Sequence, residues 1–245
     1  MRKLIAVACL FVAAPALADD DVPPPPPAID ATTPEATAAF DMLRAAVAKA
    51  KEFHDTRFAF TARRANTGRD GETETFIAEF DPSRPDDEQW RFISDAEGDA
   101  DDAMKTQRKE DAEDRPVVYA DLGELEGVFL VSNELDTALF VSRELGEDAP
   151  KDALEARLTL DKSSGHISKI EVVSIRPFKP LPIAQVKNYR QVKEFAPPVD
   201  GGPALLRRLA TLTEGSAMFR SFHIESETVF EDVRPVDAPP REKNG

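Results

Sequence analysis

Residues 58–80 read FAFTARRANTGRDGETETFIAEF, and the phase of this stretch decides the fold. Phe58, Phe60 and Ala62 alternate with Ala59, Thr61 and Arg63; after a polar segment at 66–71, Phe76, Ala78 and Phe80 alternate with Ile77 and Glu79. Side chains on a strand point to opposite faces in turn, so apolar residues in one phase predict a strand buried on one side. Two such runs around a glycine-containing turn predict an antiparallel hairpin with one aromatic face.

Working outward, Asp81-Pro82 opens a polar loop, after which Trp90 and Phe92 alternate with Arg91 and Ile93 as a third strand. Upstream, Thr33-Pro34-Glu35 supplies a capping hydroxyl, a proline at the first helical position and an early acid. Phe40, Leu43, Val47 and Ala50 then recur at helical spacing, predicting a helix to Glu52, with His54 just past its end. Asp99, with Asp101 and Asp102 in the following turn, predicts a short second helix.

Residues 115–150 resist assignment, since the apolar runs at 128–131 and 138–141 suit either short helices or short strands. A second hairpin is expected at 156–160 and 166–176 around Asp161-Lys162-Ser163-Ser164-Gly165. Pro177, Pro180 and Pro182 break that strand, residues 184–195 read as extended, and 205–212 with 218–233 form a last pair around Thr213-Glu214-Gly215-Ser216. Met218, Phe222, Ile224, Thr228 and Phe230 are expected on one face of the final strand, with Arg220 unusually among them.

The N-terminus has Arg2 and Lys3, an apolar run broken by Pro15, and Ala16-Leu17-Ala18 before three aspartates. This predicts a secretory signal peptide over residues 1–18, cleaved after Ala18, rather than a spanning helix, which needs about 20 apolar residues. Lipidation at Cys9 is not expected, because the apolar segment before it is too short for a signal peptide. Without Cys9 no disulfide, thiol catalysis or Cys-based metal site remains. Residues 19–33, with Pro23 to Pro27 consecutive, read as a disordered leader, 34–233 as a single domain, and 234–245 as a disordered tail. Removing 18 of 245 residues leaves 29 basic against 46 acidic side chains. Nucleic acid is not an expected partner for that balance.

Catalytic chemistry needs a constellation, and none stands out. His54, His166 and His223 have no metal spacing, and no nucleophile elbow, phosphate loop or zinc-helix motif occurs. Acids at Asp95, Glu97 and Asp99 suggest a calcium loop, but glycine falls at its fourth place and Thr106 at its twelfth, so an EF-hand is rejected. The expectation is therefore a non-enzyme without metal or cofactor. What remains is aromatic: Phe58, Phe60, Phe76, Phe80, Trp90 and Phe92 early, Phe195, Phe219, Phe222 and Phe230 late, with the apolar Met218 among the late ones. Composition favours ordinary core, and the other reading is an apolar face that holds acyl chains.

The order of features is similar to the periplasmic lipoprotein-carrier and lipoprotein-sorting superfamily, the LolA-like fold, over roughly residues 34–233. Carrying the resemblance are the N-terminal helix, the aromatic hairpin, Phe80-Asp81-Pro82 leading to Glu88-Gln89-Trp90-Arg91-Phe92, and Pro177-Phe178-Lys179-Pro180 followed by long strands. It implies an α+β fold, an open, mostly antiparallel β half-barrel with helices covering the concave face. The implied role is a periplasmic carrier of lipid or lipoprotein acyl chains, lined by the early rings named above with Met218, Phe222 and Phe230. Arg91 and Arg220 are the candidates for lid or headgroup contact. The alternative is an envelope protein-interaction module whose sheet is merely core.

Overall fold

A computed structural model describes residues 23–68, 71–85, 88–93, 118, 119, 122, 125, 127–145, 150, 152–218 and 220–237. The expected signal peptide, the Asp99 helix and the acidic run at 95–102 lie outside the described residues.

The helix α1 spans Pro34–Lys51. Thr33 caps it in extended conformation, its hydroxyl accepting the Ala36 N–H at 3.2 Å, with Glu35 in the first turn and Lys49 and Lys51 in the last. Cap and charges therefore both favour the helix dipole. Its buried stripe is mostly alanine, with Leu43 and Val47 as the large members, and small residues let a helix approach a sheet closely.

The strands are β1 (Arg57–Thr67), β2 (Thr73–Phe80), β3 (Trp90–Phe92), β4 (Val128–Asn133), β5 (Thr137–Ser142), β6 (Leu154–Asp161), β7 (His166–Ser174), β8 (Phe178–Leu181), β9 (Ala184–Ala196), β10 (Leu205–Ala217) and β11 (Arg220–Val236). They form one open sheet in the order β3-β2-β1-β11-β10-β9-β7-β6-β5-β4, with β8 pairing β9 off that path. Every neighbouring pair is antiparallel. The fold is thus a mostly antiparallel open sheet carrying one described helix, where several covering helices were expected.

Cross-strand register separates two faces. On the inner face, where α1 lies, Leu130, Phe140, Leu158 and Ile170 follow one another across β4, β5, β6 and β7, all buried in the same core as Leu43. The outer face is a ladder of opposite charges, with Arg91 on Glu79, Arg63 on Glu231, Arg208 on Glu227 and Glu194, and Arg190 on Glu171. Cross-strand pairs of this kind are individually weak, about 0.2–1 kcal/mol. They absorb many of the chain's carboxylates and leave the apolar surface to the inner side.

Several expectations change. The stretch at 128–141 is a β4–β5 hairpin closed by the Glu134 N–H on the Thr137 carbonyl. Thr213 to Ser216 is strand, and the chain turns instead at Met218, whose φ is +48°. Gly215 is needed there for close approach, because a Cβ would stand 2.1 Å from the Gln185 carbonyl oxygen. In a strand, glycine can mark such an approach instead of a turn.

Residues 234–236, expected to belong to a disordered tail, are strand: Arg234, Pro235 and Val236 pair with Ala59, Phe58 and Arg57. Pro235 is tolerated because β10 pairing ends at Val229, leaving that stretch of β11 with an open edge. Pro180 likewise sits in β8, which pairs only β9. The leader was expected to be disordered, but its described part is held: the Ile29 N–H donates to the Leu130 carbonyl at 2.7 Å, and Arg143 donates to the carbonyls of Pro23 and Pro24. Polyproline lacks N–H donors, so its free carbonyls need outside partners, and a guanidinium supplies them.

Candidate functional site

The aromatic hairpin forms as expected and builds the β3-side half of the inner face. Phe60, Phe80 and Trp90 are register partners across β1, β2 and β3, and Ala62, Ala78 and Phe92 form the next row, with Phe230 of β11 opposite Ala62. The small residues Ala62 and Ala78 leave room for rings from the flanking row to lean inward. The Phe60 ring centroid lies 5.2 Å from Phe80, 5.8 Å from Trp90 and 5.2 Å from Phe230, and Phe80 lies 4.9 Å from Trp90. Phe76 packs on Phe92 at 5.5 Å, and Phe58 is buried in the same core. Edge-to-face and tilted pairs at these distances add about 0.5–1.5 kcal/mol each beyond area burial.

The late residues divide. Phe230 joins the cluster, whereas Met218 is an exposed turn residue and Phe222 lies over Gly215, whose Cβ would meet its ring at 2.7 Å. Ten residues of extended strand separate Arg220 from Phe230, about 33 Å. Arg220 is therefore not beside the aromatic cluster, and Arg91 points to the outer face, donating twice to Glu79 at 2.6 and 3.0 Å.

The guanidinium that does reach the aromatic face is Arg64. It stands 5.9 Å over the Phe76 ring and donates to Asn66 at 2.9 Å. Continuing the Phe58, Phe60, Ala62 alternation by one more step reaches it, so the signal was present in the sequence. Register then runs from Arg64 to the buried Thr228, to Leu209 and to Lys193, placing a second cation in the same cross-strand row. An apolar aromatic surface bordered by cations can take an amphiphile, its chain on the rings and its anionic head on the border.

The titratable groups elsewhere have structural duties. Among the described residues, no group of three or more His, Cys, Asp or Glu side chains is placed to hold a metal ion. His54 pairs with Asp55, and His223 sits between Glu214 and Glu225, whose carboxylates raise its pKa, the Glu214 hydrogen bond foremost. His166 is buried at the β6–β7 corner, its Nδ1 2.6 Å from the Ser164 hydroxyl and its Nε2 without a partner among the described residues. Burial disfavours the imidazolium and lowers its pKa, against an opposing pull from Asp161.

The unfolded chain therefore binds more protons once pH falls toward the free histidine value of about 6.5. The His166 contribution is complete above that pH and is lost as pH falls through the lowered folded value. Unfolding free energy measured by urea denaturation from about pH 7 to pH 5 should fall less steeply in His166→Gln than in the parent. Equal slopes would show that His166 does not carry the effect.

No helix among the described residues is long and apolar enough to cross a membrane. No protein-family model matches this chain, and no curated protein matches it.

Proposed function

We propose that this protein is a non-catalytic periplasmic carrier or binder of an apolar ligand, lipid or lipoprotein acyl chains, held on the inner face of a LolA-like half-barrel. The aromatic cluster of the inner face, bordered by Arg64 and Lys193, carries this reading. The sheet path of ten strands is about 43 Å across at the usual strand spacing, whereas α1, 18 residues long, is a rod about 27 Å by 10 Å. Its main packing is on β7 and β4, and the aromatic rings on the β3 side are buried in one core with its Leu43 and Val47, so a ligand would enter by parting that packing. Arg64 and Lys193 would meet the anionic head of such a ligand, and β1, β2, β3 and β11 its chain.

The close ring contacts favour a second reading, an envelope protein-interaction module whose aromatic face is simply core. Trp90 separates the two, being the chain's only tryptophan and lying inside the cluster. Its fluorescence should be quenched saturably by a bromine-labelled fatty acid, and quenching should weaken several-fold in Arg64→Ala. Protein purified from its own envelope should release acyl lipid on extraction. Absence of both signals would sink the carrier reading and leave the filled module.

A further inference from the structure

The chain is strongly acidic, with 46 Asp and Glu against 31 Lys and Arg, yet no carboxylate occurs from Val172 to Lys193 or from Gly215 to Ile224. The fold brings these two acid-free segments together at one end of the sheet. Leu181 pairs Ala184, Ala184 pairs Ala217, and Ala217 pairs Arg220, so four strand ends lie in one row. The two turns beyond them touch, the Met218 N–H donating to the Ile183 carbonyl at 3.1 Å.

Large apolar side chains are exposed at seven described positions, and four of them, Leu181, Ile183, Met218 and Ile224, are at this end. Ile183 is 58 % and Met218 69 % exposed. Lys179, Lys187 and Arg220 are exposed around them, and no described carboxylate pairs with any of the three. The nearest acids are occupied: Glu214 accepts from Asn188 and meets His223, and Glu225 meets the other ring nitrogen of His223.

We propose that the β8–β9 and β10–β11 turns form a docking edge for an anionic phospholipid surface, with Ile183 and Met218 entering between headgroups and Lys179, Lys187 and Arg220 holding their phosphates. Charge complementarity selects this occupant. The acidic remainder of the described residues is repelled by such a surface, so among them this end is the one that approaches it, and the protein is oriented as it lands. Turns are also the segments whose side chains can enter a headgroup layer without unpairing a strand. The inference does not rest on the carrier reading, since it concerns the opposite end of β11 from Phe230 and needs no cargo.

Co-sedimentation with vesicles tests it. Full-length mature protein should bind phosphatidylcholine vesicles containing about one third phosphatidylglycerol, bind pure phosphatidylcholine at least tenfold more weakly, and be released by salt. The pair Ile183→Asp with Met218→Asp, and separately the triple Lys179→Glu, Lys187→Glu and Arg220→Glu, should each lower binding at least tenfold, with unchanged circular dichroism and melting. Leu135→Asp, at an exposed residue of the β4–β5 turn, should bind like the parent. Parent protein that stays in solution with the anionic vesicles overturns the proposal, as does binding that ignores the tip substitutions. A concentration-dependent dimer abolished by the Ile183 and Met218 pair, with no vesicle binding, would assign the edge to a second copy and equally overturn it.

Discussion

Replacing Phe140 by alanine is expected to lower the unfolding free energy by about 3–5 kcal/mol, the range for truncating a buried phenylalanine to alanine. For a domain of this size that is a fall in melting temperature of roughly 6–20 °C. Phe140 has no exposed surface, stands between Leu130 and Leu158 in the inner-face register, and meets the Phe40 ring edge-on at 5.1 Å. It is thus the joint between helix and sheet, and alanine leaves a cavity that neither rigid element can close. Phe140→Leu keeps most of the volume and should recover most of the loss, leaving a cost of about 1.5 kcal/mol or less. Urea denaturation of both variants checks the pair, and a loss below about 1 kcal/mol in the alanine variant would mean the site collapses around it.

Glu155→Ala should cost a comparable amount, about 3–5 kcal/mol, because it removes one member of a buried ion cluster and leaves its cations without a counter-charge. The Glu155 side chain is 3 % exposed, and its two oxygens accept from Arg143 at 3.1 Å and Arg157 at 3.0 Å. Arg143 is 19 % exposed and carries most of that cost, whereas Arg157, 41 % exposed, can turn to water.

The same Arg143 guanidinium donates to the carbonyls of Pro23 at 2.8 Å and Pro24 at 3.2 Å, so Glu155 positions the group that holds the leader. Limited proteolysis of residues 23–30 should accelerate in Glu155→Ala and Arg143→Ala. It should not accelerate in Phe140→Leu, which leaves the cluster intact. A leader equally protected in all three would show that Arg143 does not tether it.

The carbonyl partners of the leader were invisible in sequence, where five prolines read as a chain with nothing to bind. Polyproline has no pattern that names an acceptor's partner, and Arg143 lies about 120 residues away. Arg64 is a different case. Its parity with Phe58 and Phe60 was legible, but an arginine among charged neighbours gives no reason to prefer it until Phe76 is seen beneath it. Arg91 and Arg220 are candidates for lid or headgroup contact only through the family resemblance and their place on expected strands, and Arg91 belongs to the phase opposite Trp90 and Phe92, on Glu79.

What the sequence determined by itself is the local part: α1 with its Thr33 cap, the aromatic hairpin of β1 and β2 with Trp90 and Phe92 after it, and the β6–β7 hairpin around Gly165. Each rests on interactions between residues close along the chain, where side-chain phase and turn residues leave a direct mark. Tertiary structure alone decided which strands neighbour one another, above all β1 beside β11, joined by Arg63 and Glu231 at a separation of 168 residues. It also made Gly215 a strand residue under the Gln185 carbonyl and moved the turn to Met218. The physical reason is common to these cases: a contact between distant segments is set by the packing of whole faces, and no single segment records its partner. The docking edge proposed for the two touching turns exists only because that packing brings two acid-free segments to one end of the sheet.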